Sequence, residues 1–346
     1  METGLGKINL VESVSPKQVH FRTQRGKGTH GISRERVRAA IAFFLYRQTT
    51  MRKSLEQFNK FSSFLMGLLR IMFVEIARIR KTAKGLRLSL RGTRFTPAGF
   101  DRDVRGLELV KELGGSVVLC SYFHLRDDKY ERFRMHAIRN GLKILLDSGA
   151  FSLHMAKEAG KEAAPIYVRD FIRFVKRIKD VLYGCINLDV MGDPVRTLIH
   201  QRIMDRYGIK SIPVWHAQSS MDELQQIVVG YESEVDFICI GGMAKMSEKE
   251  QERVLTGVFK AHPGLNVHVL GVSNPVILRF PVFSCDSTTP IWSRQKRFVL
   301  TERGQVAADK VDPSWDGEAC MAYNLQWLFR LEEAYHGINV QLPLLP

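Results

Sequence analysis

From about residue 115 onward, short apolar runs rich in β-branched residues alternate with longer stretches of helical character. The eight runs span residues 116–121, 143–148, 184–189, 211–216, 236–242, 266–271, 281–286 and, most weakly, 297–301. Runs of this length separated by helix-length segments predict β–α units, whose strands lie parallel and are covered by helices. About eight units over roughly 200 residues fit a (β/α)8 barrel of the TIM type better than an open doubly wound sheet. We therefore predict an α/β fold with a barrel domain at residues 111–346.

The first hundred residues differ from the rest of the chain in charge. They contain 20 Lys and Arg residues and five acidic residues, whereas the remainder contains 31 of each, so the formal net charge of +15 comes entirely from the N-terminal part. Apolar residues recur at three- and four-residue spacings over 33–84, which predicts helices following a flexible arm at 1–32. We therefore expect residues 1–110 to form a basic, largely helical N-terminal extension. Clustered cations are typical of proteins that bind nucleic acid, although an acidic membrane surface or an acidic partner protein would also attract them.

The five cysteines are widely spaced and mostly lie inside apolar runs, as Cys120 and Cys239 do. This pattern is typical of reduced, buried thiols in a cytoplasmic protein. No CxxC pair is present that would indicate a structural zinc site. The N-terminal segment lacks the apolar stretch of a secretory signal, so we expect a cytoplasmic protein without a membrane partner.

Polar or glycine residues follow nearly every predicted strand, at the point where the strand ends. They are Asp147, Asp189, His216 with Gln218, Gly241 with Gly242, Gly271, and Asp286. Because the carboxyl ends of barrel strands meet at one rim, where active sites form, we expect these residues to converge. A lone aspartate in such a place can simply cap the next helix. Three carboxylates together suit either a Mg²⁺ or Ca²⁺ site or glycosyl transfer through a carboxylate nucleophile, and the pattern by itself leaves both open.

Six short segments resemble, in order, motifs of the tRNA-guanine transglycosylase superfamily. They are LLDSGAFS (145–152), INLD (186–189), VWHAQ (214–218), IGGMA (240–244), LGVSNP (270–275) and FSCDS (283–287). The resemblance implies a (β/α)8 barrel enzyme, a glycosyltransferase that exchanges a purine base in nucleic acid through a covalent sugar intermediate. It implies no redox cofactor.

Carried over by position, the resemblance implies a role for each aspartate. Asp286 is expected to attack C1′ of the sugar, and Asp147 is expected to act as the general acid/base for the nitrogen of the base. Asp189 is expected to accept hydrogen bonds from the N1–H and amino groups of the purine. The alternative for Asp147 and Asp286 is a local one, in which each orders its own turn or caps a helix. Cys285, next to the expected nucleophile, is expected to be a buried strand thiol.

The resemblance also implies which residues hold the base. Besides Asp189, they are Gln218, Gly241, Gly242, Phe151, Leu270 and Gly271. Gln218 and the backbone N–H of Gly242 are expected to face the O6 side of the base. Phe151 and Leu270 are expected to sandwich its ring, because stacking requires a flat apolar face.

The chain departs from the tRNA enzymes in two places. Their CxCxxC…His zinc motif has no counterpart, since only Cys320 lies downstream of the nucleophile strand, so this zinc site is absent or rebuilt and we expect no cofactor. The segment DSTTPIWSR (286–294) replaces the Pro-Thr-Arg segment that grips the anticodon loop and resembles the DpdA-type DNA-guanine transglycosylases of phages and mobile islands. We expect Ser287, Trp292 and Arg294 to contact nucleic acid, with Trp292 stacking on a base or wedging the helix as guanine leaves it. The alternative for Trp292 is a core position.

The sequence therefore predicts a DNA-guanine transglycosylase whose partners are DNA and a 7-deazaguanine base such as 7-cyano-7-deazaguanine. One alternative is a tRNA-guanine transglycosylase of the queuosine or archaeosine type that lacks the usual zinc site. Others are a non-catalytic nucleic-acid-binding paralogue and a metal-dependent barrel hydrolase. A partner protein or a homodimer stays open.

Overall fold

The computed structural model describes residues 8–332, except residues 25, 27, 75, 102, 127–135 and 138 and the side chain of Lys157. The chain divides into two compact units, Met1–Arg91 and Gly92–Pro346. None of the helices in the described ranges has the length and apolar character that crossing a bilayer requires.

The first unit combines strands and helices. Its strands are β1 (Asn9–Val14), β2 (Gln18–Thr23), β3 (Thr29–Ser33), β4 (Thr49–Met51), β5 (Ala77–Thr82) and β6 (Gly85–Leu90), and its helices are α1 (Arg34–Arg47) and α2 (Ser62–Met72). The strands form two antiparallel sheets, with orders β1-β2-β3 and β4-β6-β5. The hydroxyl of Ser33 caps α1 by accepting a hydrogen bond from the Arg36 N–H. Phe21 of β2 stacks on Phe64 of α2, with ring centroids 3.7 Å apart, in the core of this unit.

Both α1 and α2 lie within the range 33–84 that was predicted to be helical. The strands β1 to β3 occupy the predicted arm, and β4 to β6 accompany the helices, so the extension is not largely helical over the described residues. In β2, Val19 and Phe21 are buried while Gln18 and Arg22 are exposed, which is the period of two of a strand. At 77–90, where basic residues lie between apolar ones, the pattern fits the period of two of a strand as well as it fits the period of a helix. Gly85, at φ +121°, begins β6 just after the turn that ends β5, and this conformation favours glycine.

The second unit is a mixed α/β fold built on parallel strands. They are β7 (Arg94–Pro97), β8 (Val117–Ser121), β9 (Lys143–Asp147), β10 (Leu182–Cys185), β11 (Val214–His216), β12 (Ile238–Gly241), β13 (Val267–Val269) and β14 (Ser284–Ser287). The helices that intervene or follow are α3 (Val104–Glu112), α4 (Tyr122–Leu125), α5 (Ala150–Glu158), α6 (Val168–Arg177), α7 (Pro194–Arg206), α8 (Met221–Tyr231), α9 (Glu248–Ala261), α10 (Thr289–Lys296) and α11 (Gly317–Phe329). One sheet has the order β10-β9-β8 and another the order β11-β12-β13-β14-β7, and every pairing within them is parallel. Two single parallel bridges, Ala98 with Leu119 and Ile186 with Ile212, lie between the two sheets.

One predicted strand is misassigned. Residues 297–301 were expected to supply the eighth parallel strand, but β15 (Phe298–Thr301) pairs antiparallel with β16 (Gly304–Ala307). The parallel neighbour of β14 is instead β7, so the first unit ends at Arg91, before the predicted boundary at residue 110. The β7 sequence RFTP begins with arginine and ends with proline, so no apolar run marks it as a buried strand.

The parallel strands separate two apolar layers. Val118 of β8 belongs to the larger cluster, which includes residues of the surrounding helices, whereas Val117 and Leu119 belong to a smaller cluster. On β12, Ile240 and Cys239 divide between the two clusters in the same way. Successive side chains point to opposite faces of a strand, so the smaller cluster fills the inner face of the sheets. The residues at the carboxyl ends of the strands lie beyond this inner layer.

Candidate active site

A cavity of about 970 Å³ lies at the carboxyl ends of the parallel strands. Each strand from β7 to β14 contributes a lining residue at or just beyond its end, in chain order Ala98, Ser121, Asp147, Asp189, His216, Gly241, Leu270 and Asp286. The sequence-predicted residues that line this cavity are Asp147, Phe151, Asp189, Gln218, Gly241, Gly242, Leu270, Gly271, Asp286 and Ser287. Trp292 and Arg294 do not line it.

The two carboxylate oxygens of Asp286 differ in their hydrogen bonds. Its Oδ1 accepts hydrogen bonds from the Gly271 N–H, at 3.0 Å, and from His268 Nε2, at 3.1 Å. Its Oδ2 makes no hydrogen bond with the residues that the structure describes. Gly271 adopts φ +71°, which favours glycine, and this conformation aims its N–H at the carboxylate. One oxygen of Asp286 is thus fixed by two donors while the other is available for chemistry.

Asp147 lies in a different electrostatic environment. Burial, and then the neighbouring charges of Asp189 and Asp286, raise the pKa of Asp147 from 3.8 to about 7, against the lowering effect of the Gly149 N–H. That N–H donates to Asp147 Oδ2 at 2.8 Å. Both Asp189 and Asp286 are therefore close enough to Asp147 for their charges to act on it. A carboxyl group with this pKa exchanges a proton near neutral pH, as a general acid/base requires.

Asp189 is held from two sides. The Ser148 hydroxyl donates to its Oδ1 at 3.1 Å, and His216 Nε2 lies 3.0 Å from its Oδ2. Both Asp189 and His216 are 9% exposed. The carboxylate therefore faces the cavity from a buried position, where a hydrogen bond to a ligand is stronger than in water.

Apolar and glycine residues line the cavity beside the carboxylates. Phe151 of α5 is 45% exposed, and Leu270 is partly buried against the inner layer. Gln218 Nε2 donates to the carbonyl of Gly242 at 2.9 Å, and its Oε1 lies where a Cβ on Gly242 would be. Gly242 has φ +79°, so a side chain there would be strained as well as obstructed.

Cys285 is on the other side of its strand from Asp286. It belongs to the larger cluster behind the sheet and is fully buried. Burial, and then the charge of Asp286, raises the pKa of the Cys285 thiol well above its usual range. Since the thiolate is the reactive form of cysteine, Cys285 is poorly suited to act as a nucleophile.

The three residues expected to contact nucleic acid lie in different surroundings. Ser287 lines the cavity and shares a 2.7 Å hydrogen bond with the hydroxyl of Thr289. Trp292 on α10 is 53% exposed, so its assignment to the core is wrong, and its contact with nucleic acid stays a prediction. Arg294 donates to Asp103 Oδ2 at 2.6 Å and is partly buried, which ties α10 to the start of α3.

Sequence reasoning missed His268 as a partner of the expected nucleophile. His268 is fully buried in β13, and its Nδ1 lies 2.8 Å from Ser284 Oγ while its Nε2 reaches Asp286. In the neutral ring, donation by Nε2–H leaves Nδ1 to accept from the Ser284 hydroxyl. The available signal was a histidine in the middle of the apolar run NVHVLG, on the inward side of the alternation.

We expect His268→Phe to lower about ten- to a hundredfold the rate of a reaction that depends on Asp286, because Asp286 loses one of two fixed donors. Phenylalanine keeps a ring beside Phe237, whose centroid is 5.5 Å from that of His268. His268→Gln, which restores a donor, is expected to recover part of the rate. Full activity of His268→Phe, measured with its melting temperature, would contradict this role.

Among the described residues, no group of three or more histidine, cysteine or acidic side chains is arranged to hold a metal ion. All five cysteines are free and buried.

The chain matches no protein-family model and no curated protein. Its matches among solved structures are distant. The carboxyl transferase domain of Rhizobium etli pyruvate carboxylase is 11% identical, with 73% of this chain and 50% of that chain covered and a TM-score of 0.41. Tryptophan synthase from M. tuberculosis is 12% identical, with 68% and 94% covered and a TM-score of 0.39. Orotidine 5′-monophosphate decarboxylase from Methanocaldococcus jannaschii is 14% identical, with 69% and 99% covered and a TM-score of 0.37. Similarities at this level carry no argument about the reaction.

Proposed function

We propose that this protein is a DNA-guanine transglycosylase, an enzyme that exchanges guanine in DNA for a 7-deazaguanine base through a covalent Asp286–sugar intermediate. The observation that carries the proposal is that one cavity contains two carboxylates with different hydrogen bonds and different proton affinities. Asp286 has one oxygen fixed and one open, whereas the pKa of Asp147 is raised to about 7. Glycosyl exchange needs this division between a carboxylate that attacks the sugar and a group that moves a proton near neutral pH.

The proposal includes a closed (β/α)8 barrel for the second unit. Six neighbouring strand pairs are joined by parallel ladders, and the bridges Ala98–Leu119 and Ile186–Ile212 lie at the two remaining junctions, β7 with β8 and β10 with β11. A ring of eight parallel strands would bring all their carboxyl ends around a single site. The contribution of all eight strand ends to one cavity supports this arrangement.

In the first half-reaction, Asp286 Oδ2 attacks C1′ of the target nucleotide as the bond between C1′ and N9 of guanine breaks. The bonding electrons leave with guanine, and Asp147 gives its proton to the nitrogen of the departing base. The products are free guanine and an ester between Asp286 and the sugar.

In the second half-reaction, the incoming 7-deazaguanine base loses the proton on its N9 to Asp147. That nitrogen attacks C1′, and the electron pair of the ester bond returns to Asp286. Two inversions at C1′ leave the configuration of the sugar unchanged. Asp147 ends protonated, ready for another cycle, and no oxidant, reductant or nucleotide triphosphate is consumed.

Two features support nucleic acid, and DNA in particular, as the substrate. The surplus of basic residues in the first hundred positions suits a polyanion, because Lys and Arg displace counterions from phosphates. The segment 286–294 resembles the DNA enzymes where the tRNA enzymes grip the anticodon loop, and it carries the exposed Trp292. A base inside a duplex is reached only after it leaves the stack, and an exposed aromatic ring suits that step.

We expect the purified protein to incorporate labelled 7-cyano-7-deazaguanine into duplex DNA and to release guanine in equal amount. The measurement compares duplex DNA with bulk tRNA in the presence of EDTA, because the proposed steps use only side chains of this chain. Incorporation into tRNA alone would keep the mechanism but contradict the DNA substrate. Loss of activity with EDTA would favour the metal-dependent alternative, and no incorporation into either polymer would overturn the proposal.

A further inference from the structure

Lys245 brings a positive charge to a cavity whose lining is rich in acidic side chains. Besides three histidines, it is the single basic side chain among the described residues of the lining. The same lining contains six acidic residues, Asp101, Asp147, Asp189, Asp193, Glu223 and Asp286. A nucleic acid strand carries a phosphate on each side of the target sugar, and carboxylate charges repel these phosphates. A cation in this lining therefore offsets a repulsion that every nucleotide substrate meets.

Lys245 lies beside the aromatic ring that is expected to stack on the base. Its Nζ is 6.0 Å from the centroid of the Phe151 ring and 3.4 Å from Glu158 Oε2. Phe151 and Glu158 belong to α5, which follows β9, whereas Lys245 follows β12 of the other parallel sheet. The phosphates of a nucleotide are one sugar away from its base, so a cation in this position is within reach of a phosphate when the base stacks on Phe151.

The carboxylate that pairs with Lys245 is only weakly held. The side chain of Lys245 is 62% exposed and that of Glu158 is 50% exposed, and Glu158 Oε1 also lies 3.2 Å from His154 Nε2. Ion pairs between exposed side chains contribute little to stability, because water screens their charges. Lysine binds phosphate as a compact point charge. A phosphate can therefore replace the Glu158 carboxylate on Lys245 with little loss of stability.

We propose that Lys245 binds the phosphate beside the target nucleotide, and that Glu158 holds the lysine in place until a strand displaces it. The inference rests on the proposed function, since it takes the cavity as the site that receives the nucleotide. Lys245 is a binding residue in this scheme, and no covalent bond is made or broken at it. Because the Glu158 carboxylate competes with the strand, the two members of one ion pair have opposite effects on binding.

The opposite effects separate this role from a structural one. Lys245→Met keeps most of the apolar length of the side chain and removes its charge, so it should weaken the binding of a strand. Glu158→Gln removes the competing charge and leaves Lys245 available to a phosphate, so it should strengthen that binding. If the ion pair only held α5 in place, both substitutions would act in the same direction, because either one breaks the pair.

The test is the binding of a labelled single-stranded DNA oligonucleotide that contains one guanine to the full chain, measured by fluorescence anisotropy over a range of salt concentrations. We expect Lys245→Met to weaken binding about five- to tenfold and to reduce the slope of log Kd against log salt by about 0.7, the value for one phosphate of a single strand. Glu158→Gln should tighten binding about two- to fivefold, and the double variant should match Lys245→Met. The matched control is Lys210 with Glu234, a pair 3.0 Å apart that does not line the cavity. Lys210→Met and Glu234→Gln should each change the affinity by less than about twofold.

Calorimetry with 7-cyano-7-deazaguanine gives a second readout, because the free base carries no phosphate. Lys245→Met and Glu158→Gln should bind the free base within about twofold of the wild-type affinity. A larger change in either variant would mean that Lys245 acts on the base instead of the phosphate, and it would overturn the assignment.

Unchanged binding of the oligonucleotide by Lys245→Met, or weaker binding by Glu158→Gln, would also overturn the assignment and leave the proposed function intact. If Lys245→Met fails to fold, Glu158→Gln and Lys245→Arg decide the question. Glu158→Gln must still tighten binding, and Lys245→Arg, which keeps the charge, must bind within about threefold of wild type. A wild-type chain that neither binds the oligonucleotide nor exchanges its guanine would overturn the proposed function itself.

Discussion

Asp286→Asn is expected to reduce base exchange by about 10⁴-fold or more, because it removes the group that we propose attacks C1′. The substitution preserves shape. The side-chain carbonyl of asparagine can still accept from the Gly271 N–H and from His268, which now hold Asp286 Oδ1 at 3.0 and 3.1 Å. A loss of this size without a loss of stability would therefore report the missing nucleophile rather than a disturbed fold.

The covalent intermediate gives a second readout for the same residue. When wild-type protein is incubated with an oligonucleotide but no incoming base, the sugar ester should persist long enough to survive denaturation and to be seen as a protein–DNA adduct by gel or mass spectrometry. Asp286→Asn should give no adduct. The matched control is Asp170→Asn on α6, where the same chemical change affects a half-buried carboxylate that is paired with Arg173 and does not line the cavity. An adduct formed by Asp286→Asn, or one mapped to Cys285, would contradict the assignment.

The sequence predicted which residues lie together in the cavity better than it predicted the secondary structure of the rest of the chain. Asp147, Asp189 and Asp286 line one cavity because each follows a parallel strand, and that placement depends only on recognising the strands. Predicted strands such as 116–121 and 236–242 coincide with β8 and β12, since their apolar runs are fully buried on both faces. The chemical roles of Asp147, Asp189 and Asp286 stay predictions.

The features that the sequence did not predict, β7, β5 and the role of His268, were missed for physical reasons. β7 is four residues long and contains Arg94 and Pro97, so its strand character comes from pairing with β14 rather than from its own sequence. In the first unit, the basic and apolar residues at 77–82 fit the period of a helix as well as that of a strand. The segment forms β5 because it pairs antiparallel with β6. His268 was missed because a histidine inside an apolar run gives no sign of its partner, and Asp286 lies 18 residues further along the chain.

Asp147 should make base exchange depend on pH around neutrality. Its pKa is raised from an ordinary value of 3.8 to about 7, first by burial and then by the charges of Asp189 and Asp286. In the proposed mechanism, release of guanine needs the protonated form of Asp147, so the rate of the first half-reaction should fall as pH rises through about 7. Uptake of the new base needs the ionised form, so the second half-reaction should fall as pH drops below the same value. The complete exchange is therefore expected to follow a bell-shaped profile centred near pH 7.

Asp147→Asn should lower the exchange rate about 10²- to 10⁴-fold and abolish this pH dependence, because asparagine neither gives nor takes a proton in this range. The same substitution has a predictable effect on stability. A raised folded-state pKa means that the folded protein resists ionisation of Asp147, so the wild-type chain loses stability as pH rises from about 4 to 7 and then stays at the lower level. Asparagine removes this cost and can still accept from the Gly149 N–H, which donates to Asp147 at 2.8 Å. Asp147→Asn should consequently be more stable than wild type by about 1–3 kcal/mol at pH 8 and nearly equal to it at pH 4, as measured by urea unfolding. Equal stability at pH 8, or an unchanged pH profile of exchange, would show that Asp147 is not the buried acid/base that its surroundings indicate.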